Sequence, residues 1–138
     1  MRTYFFVIAV LMSFLCHQLK ASDIPTRTID ELYNQMYDLE GKVVQINIKD
    51  AFNAHQSSRE TYSFNVGMTG EHIAVVNVPS EIGKRWFSST GSFSTARPNY
   101  IYVKVSTGTL QNNTYGGTQQ GLILIGLGTT IDNGAVLW

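Results

Sequence analysis

A chain of 138 residues holds one domain's worth of core, and 43% hydrophobic with 14% charged residues is the balance of an ordinary folded protein. Ten basic residues match ten acidic ones, which excludes the basic excess by which general phosphate-backbone binders are recognised. The single cysteine, Cys16, excludes a disulfide framework within the chain.

The chain opens on an export signal. Arg2 supplies a positive start, residues 5–15 are almost wholly apolar, and Leu19-Lys20-Ala21 ends in a small residue suited to signal-peptidase cleavage. That apolar run, about 11 residues, is short of the roughly 20 needed to span a bilayer. Residues 1–21 are therefore read as a secretory signal peptide and residues 22–138 as a single mature domain, periplasmic or secreted. Cys16 falls inside the signal and follows Leu15 rather than the small residue that precedes a lipidated cysteine. Cleavage also removes Arg2 and Lys20, leaving eight basic against ten acidic residues.

After an irregular lead containing Pro25, Thr28-Ile29-Asp30-Glu31 fits a capping box, with Thr28 as cap and Glu31 reaching back. Ile29, Leu32, Tyr33, Met36 and Leu39 then recur at helical spacing and form one core-facing stripe, which Gly41 ends. Residues 42–52 alternate Val44, Ile46 and Ile48 with Gln45, Asn47 and Lys49, the pattern of a long first strand bending near Asp50. Residues 55–59 read as a polar connection. Tyr62, Phe64, Val66 and Met68 mark a second strand, joined through residues 68–71 to a third at 73–78, so that the two form a hairpin. Pro79 closes the third strand, and Ser80 and Glu81 open a short helix whose Ile82 and Trp86 share a face and which Gly83 weakens.

Residues 88–98, rich in serine, threonine and glycine and carrying Phe93 and Arg97, read as a loop. In residues 100–110, Ile101, Val103 and Val105 alternate with Tyr102, Lys104 and Ser106, a strand with one buried face. Leu122, Ile123, Leu124 and Ile125 follow one another without a break, the pattern of a strand covered on both faces. Between these strands, residues 111–120 form a long loop with Asn112, Asn113, Gly116, Gly117 and one ring, Tyr115, placed for contact with a ligand. The tail finishes on Val136, Leu137 and Trp138.

Three strands, a helix and two strands, with a long bent first strand, is the element order of an OB-fold barrel. Leu39-x-Gly41-Lys42-Val43-Val44 resembles the entry to the first strand of small exported bacterial OB-fold domains and of the tRNA-anticodon-binding-like group. Tyr62-x-Phe64-x-Val66 resembles their second strand, and Tyr102-Val103-Lys104-Val105-x-x-Gly108-x-Leu110 their fourth. The resemblance spans residues 39–128 and implies an all-β chain with short helices: a five-stranded OB-fold-like barrel preceded by an N-terminal helix. Nucleic-acid-binding relatives carry a surplus of lysine and arginine and outward aromatics on strands two and three, which this chain lacks. Barrels of the lipocalin or outer-membrane kind need at least eight strands, and five are visible.

The sequence contains no His-Glu-x-x-His, no Gly-x-Ser-x-Gly and no full phosphate loop, and Gly126-x-Gly128 is only a fragment of one. His55 and His72 are the only histidines of the mature chain, and a zinc site would need Asp50 or Glu71 beside them, so they read as solvated loop residues. No enzyme activity, metal or cofactor is expected. In Lys84-Arg85-Trp86-Phe87 with Arg97, the rings read as buried beneath the helix and the two adjacent cations as wet. Asn112-Asn113-Thr114 matches a glycosylation acceptor, which matters only in a eukaryotic secretory host, and otherwise serves the turn. The reading is a non-catalytic exported module that binds a protein, peptide or oligosaccharide. Thr61, Ser63, Asn65 and Asn77 would contact the ligand from strands two and three, and His55, Arg59, Asn113 and Tyr115 from the loops. The alternative is a binder of single-stranded nucleic acid through Lys84, Arg85, Trp86, Tyr102 and Lys104.

Overall fold

Helix capping and strand alternation build the described part of the chain. The structure, a computed structural model, describes residues 20, 23–87, 97–111 and 117–138. Residues 1–21, read as a signal peptide, lie outside these residues apart from Lys20, as do Phe93, Asn113 and Tyr115. Among the described residues no helix is long and apolar enough to cross a membrane.

Thr28 caps the first helix, its Oγ1 accepting from the Glu31 N–H at 3.2 Å. The Glu31 carboxylate meets the Thr28 hydroxyl, also at 3.2 Å, and pairs with Arg27 at 3.5 Å. The apolar stripe is divided at Gln35 into α1 (Ile29–Asn34) and α2 (Met36–Leu39) instead of running unbroken. It still faces the core, with Ile29 and Leu32 buried and Tyr33, Met36 and Leu39 packed against them.

The strands that follow are β1 (Val43–Asn47), β2 (Phe52–Gln56), β3 (Thr61–Val66) and β4 (Ala74–Pro79). Helix α3 (Ser80–Trp86) leads to β5 (Tyr100–Gln111) and β6 (Thr118–Gly128). Together the strands make one six-stranded sheet in the order β1-β5-β6-β4-β3-β2. All neighbours are antiparallel except β4 and β6.

The expected closed barrel is not formed, because the strand that would close it is interrupted. Residues 48–51 leave the ladder: Asn47 Oδ1 accepts from Lys49 N–H at 2.8 Å, Ile48 N–H donates to Asn99 O, and Ala51 N–H turns back to Ile48 O. Asn53 then takes a positive φ of 54° at an irregularity in the β2–β3 register. The two halves become the opposite edges of the sheet, β1 against β5 and β2 against β3. The second half runs further than its polar composition suggested, taking in His55 and Gln56.

The loop between β5 and β6 is shorter than read from sequence. Gln111 pairs with Thr118, and Gln119 and Gln120 pair with Leu110 and Thr109, so the strands absorb four residues assigned to the loop. Ser80 does not cap α3: Pro79 holds the cap position and the Ser80 hydroxyl is buried without a partner among the described residues. Gly83 lies buried in α3, where a side chain would collide with the Tyr62 ring, so a residue that weakens the helix is the one that lets it dock. The tail forms a second, two-stranded sheet of β7 (Thr130–Asp132) and β8 (Ala135–Leu137), turned by Asn133 and Gly134, both at positive φ. The core runs through Val44, Ile46, Phe64, Val103 and Leu124, each at most 1% exposed.

Candidate functional site

Two surfaces of the sheet carry groups not used in folding. The first is its outward face. Since side chains alternate along a strand, the pairing registers place residues of several strands in rows. One row runs His55, Ser63, Asn77, Ile125, Lys104, and the next Phe52, Asn65, Val75, Ile123, Ser106. Ile125 is 41% exposed, and Phe52, Asn65, Val75 and Ile123 are half-buried. β6 is therefore not covered on both faces, as its unbroken apolar run had suggested. Its outward isoleucines instead give the face an apolar centre between polar flanks.

Of the residues expected to bind, Thr61, Ser63, Asn65 and Asn77 do share this face, and His55 stands beside them on β2. Their availability differs. Ser63 is buried, donating to Asn77 Oδ1 at 2.6 Å and lying 2.8 Å from Ser57 Oγ, so its hydroxyl serves the sheet. The backbone of Thr61 is tied into the turn, its N–H donating to Ser58 Oγ and its carbonyl accepting from Ser57 and Ser58. Exposed His55 is held by a 3.0 Å contact between Nδ1 and Asn53 O. Arg59 is exposed in the β2–β3 turn, its side chain outside any described contact. The apolar members Phe52, Val75, Ile123 and Ile125 were missed; the signal available was that Val75 lies two residues from polar Asn77 and so shares its face. Of the nucleic-acid alternative, Trp86 is 4% and Tyr102 7% exposed. Neither ring is open for a base to stack on, although Lys84, Arg85 and Lys104 are wet.

The second surface is a cleft of about 670 Å³. Its floor is Ile29 and Ile46, and its walls are Thr26, Arg27, Thr28, Asn47, Lys49, Asp50, Gly67, Thr69 and Tyr100. Tyr100 and Asn47 are register partners at the meeting of β5 and β1. Arg97 pins the turn beside them by donating to Lys49 O at 3.2 Å, and its guanidinium lies 5.4 Å from the centre of the Phe87 ring. Burial lowers the pKa of Arg97, and nearby Asp50 partly offsets this.

The far wall is held by α1. Asp30 accepts from the N–H groups of Glu71 and His72 and from His72 Nδ1 at 3.0 Å. These bonds, the one from the His72 ring foremost, hold the Asp30 carboxyl below the ordinary carboxylate range. Tyr33 stacks on His72 with centroids 4.5 Å apart. Its hydroxyl donates to Ile73 O at 2.8 Å and accepts from Leu122 N–H at 3.3 Å, bridging β6 to the residue that precedes β4. His72, read as a solvated loop residue, is thus part of the link between helix and sheet. Among the described residues no three His, Cys, Asp or Glu side chains are grouped to hold a metal. No family model matches the sequence, and neither a curated protein nor a solved structure does.

Proposed function

We propose that the chain is an exported, non-catalytic binding module of OB type that takes a protein, peptide or oligosaccharide on the outward face of β2, β3, β4 and β6. The observation that carries the reading is the composition of that face: exposed Ile125 and half-buried Ile123, Val75 and Phe52 lie among Asn65, Asn77 and His55. An apolar centre with orienting polar groups is the make-up of a recognition surface. The fold assignment is supported by element order. Counting β1 and β2 as halves of one interrupted strand leaves five strands in the six-stranded sheet, with α3 between the third and fourth, and OB sheets are partly open and bind through strands two and three.

Two measurements test this reading. Mass spectrometry of protein from the native host should find a chain beginning near Ala21 or Ser22; an intact Met1 would remove the export claim. Ile125→Asp should weaken a partner isolated on the mature chain by at least tenfold, with the thermal melt unchanged because the side chain is partly exposed. Unchanged affinity would exclude this face, and oligonucleotide binding that falls steeply with salt would replace the reading with the nucleic-acid one.

A further inference from the structure

The cleft beneath Tyr100 holds groups that the fold leaves without partners. Arg27 pairs with Glu31 through its Nη1, whereas the side chain of exposed Lys49 finds no partner among the described residues. Asp50 accepts no hydrogen bond from the described residues, its one interaction there being the field of Arg97. Tyr100 is 45% exposed although it begins a strand whose next residues are buried. The Lys49 ammonium, an acceptor without a donor and a bare ring stand around an apolar floor of Ile29 and Ile46.

These groups select among ligand classes by charge. With Arg27 already paired to Glu31, an anion would meet Lys49 but be opposed by Asp50, and a cation would meet Asp50 but be opposed by Lys49. An apolar ligand would dehydrate the Asp50 carboxylate and give it no partner. A neutral polyhydroxylated ring escapes all three costs: its hydroxyls both donate and accept, and its C–H face lies flat on an aromatic ring. The hydroxyl-bearing rim of Thr26 and Thr69 and the Asn47 amide add short polar contacts. The volume falls within the roughly 300–1,000 Å³ of drug-sized sites, more than a free amino acid requires. We propose that this cleft is a saccharide site for a neutral sugar of one or two units, with Tyr100 as platform, Asp50 as acceptor and Lys49 as donor. It uses none of the residues of the outward face, so either surface can fail without the other.

The test is an amide-shift titration of the ¹⁵N-labelled mature chain, carried to tens of millimolar. The probes are glucose, galactose, N-acetylglucosamine and their β-linked disaccharides, with glycine and sodium phosphate as zwitterion and anion controls. At least one sugar should shift Asn47, Gly67, Thr69 and Tyr100 while leaving His55 and Asn65 in place. Tyr100→Ala should weaken it by about tenfold or more, the effect of losing an aromatic anchor, Tyr100→Trp should retain it, and Asp50→Asn should weaken it, each variant melting as the parent does. Four results would each overturn the proposal: no shift with any sugar, shifts at His55 and Asn65 instead, stronger shifts with phosphate or glycine than with any sugar, or affinity unchanged in Tyr100→Ala.

Discussion

Helices α1 and α3 both pack on the sheet, and they do so by different chemistry. Helix α3 rests on rings: Trp86 and Phe87 are buried, Phe87 stacks parallel to Tyr62 at 5.8 Å and meets Phe64 at 5.1 Å, and Trp138 stands edge-on to Trp86 at 5.5 Å. Helix α1 buries Ile29 and Leu32 but is oriented by Asp30 and Tyr33, whose partners lie 40 to 89 residues away in sequence. The hydrophobic burial of rings is only loosely directional and tolerates small shifts, whereas a carboxylate shared by three N–H donors fixes a helix in one pose.

Substitutions can separate the two modes. The largest loss should come from Trp86→Ala, which empties a site touching both α3 and the terminal hairpin, at about 3–5 kcal/mol by chemical denaturation. On a domain whose whole stability is of order 5–15 kcal/mol, that is a large share; a loss below about 1 kcal/mol would show that the rings are not what holds α3. Tyr33→Phe keeps the ring over His72 and removes only the hydroxyl. It strands Ile73 O and the N–H of buried Leu122, and should cost about 1–3 kcal/mol, with faster hydrogen exchange at Leu122 as the local sign. An unchanged exchange rate there would mean that water replaces the hydroxyl and that the bridge is not needed.

The same contrast explains what the sequence disclosed. The α3 packing was legible because Ile82 and Trp86 are four apart on one helix, and the inward positions of β1, β3 and β5 because alternation is local. The Asp30–His72–Tyr33 link was not, since nothing in a helical stripe says which distant N–H groups a carboxylate will find. Asn133-Gly134 was a legible turn signal, and the β7–β8 hairpin it makes went unread because its strands have only three residues each. The outward face was half legible: Asn65 and Asn77 are polar in apolar strands, but Ile123 and Ile125 look like core residues until pairing with Lys104 and Ser106 shows which way they point. The cleft was not legible at all, being assembled where residues 26–29, 46–50, 67–69 and Tyr100 meet.

The smallest of these effects is also the most specific to α1, and it depends on pH. Because the Asp30 carboxyl titrates lower in the folded chain than in the unfolded one, its ionised form favours folding. That contribution is fully present above the unfolded-state carboxylate value and disappears as pH falls through the lower folded value. Asp30→Asn replaces the carboxylate with an amide of the same shape, which lacks charge to offer the two N–H groups and the His72 ring. At neutral pH the variant should therefore melt below the parent. As the solution is acidified the gap should close, since a protonated Asp30 resembles asparagine and both chains lose their other carboxylates alike. The exposure of this pair keeps the difference small, and added salt should reduce it further. A melting-temperature gap that stays constant from neutral pH to below the carboxylate range would mean that Asp30 acts by shape alone, leaving Ile29, Leu32 and the Tyr33 hydroxyl to orient the helix.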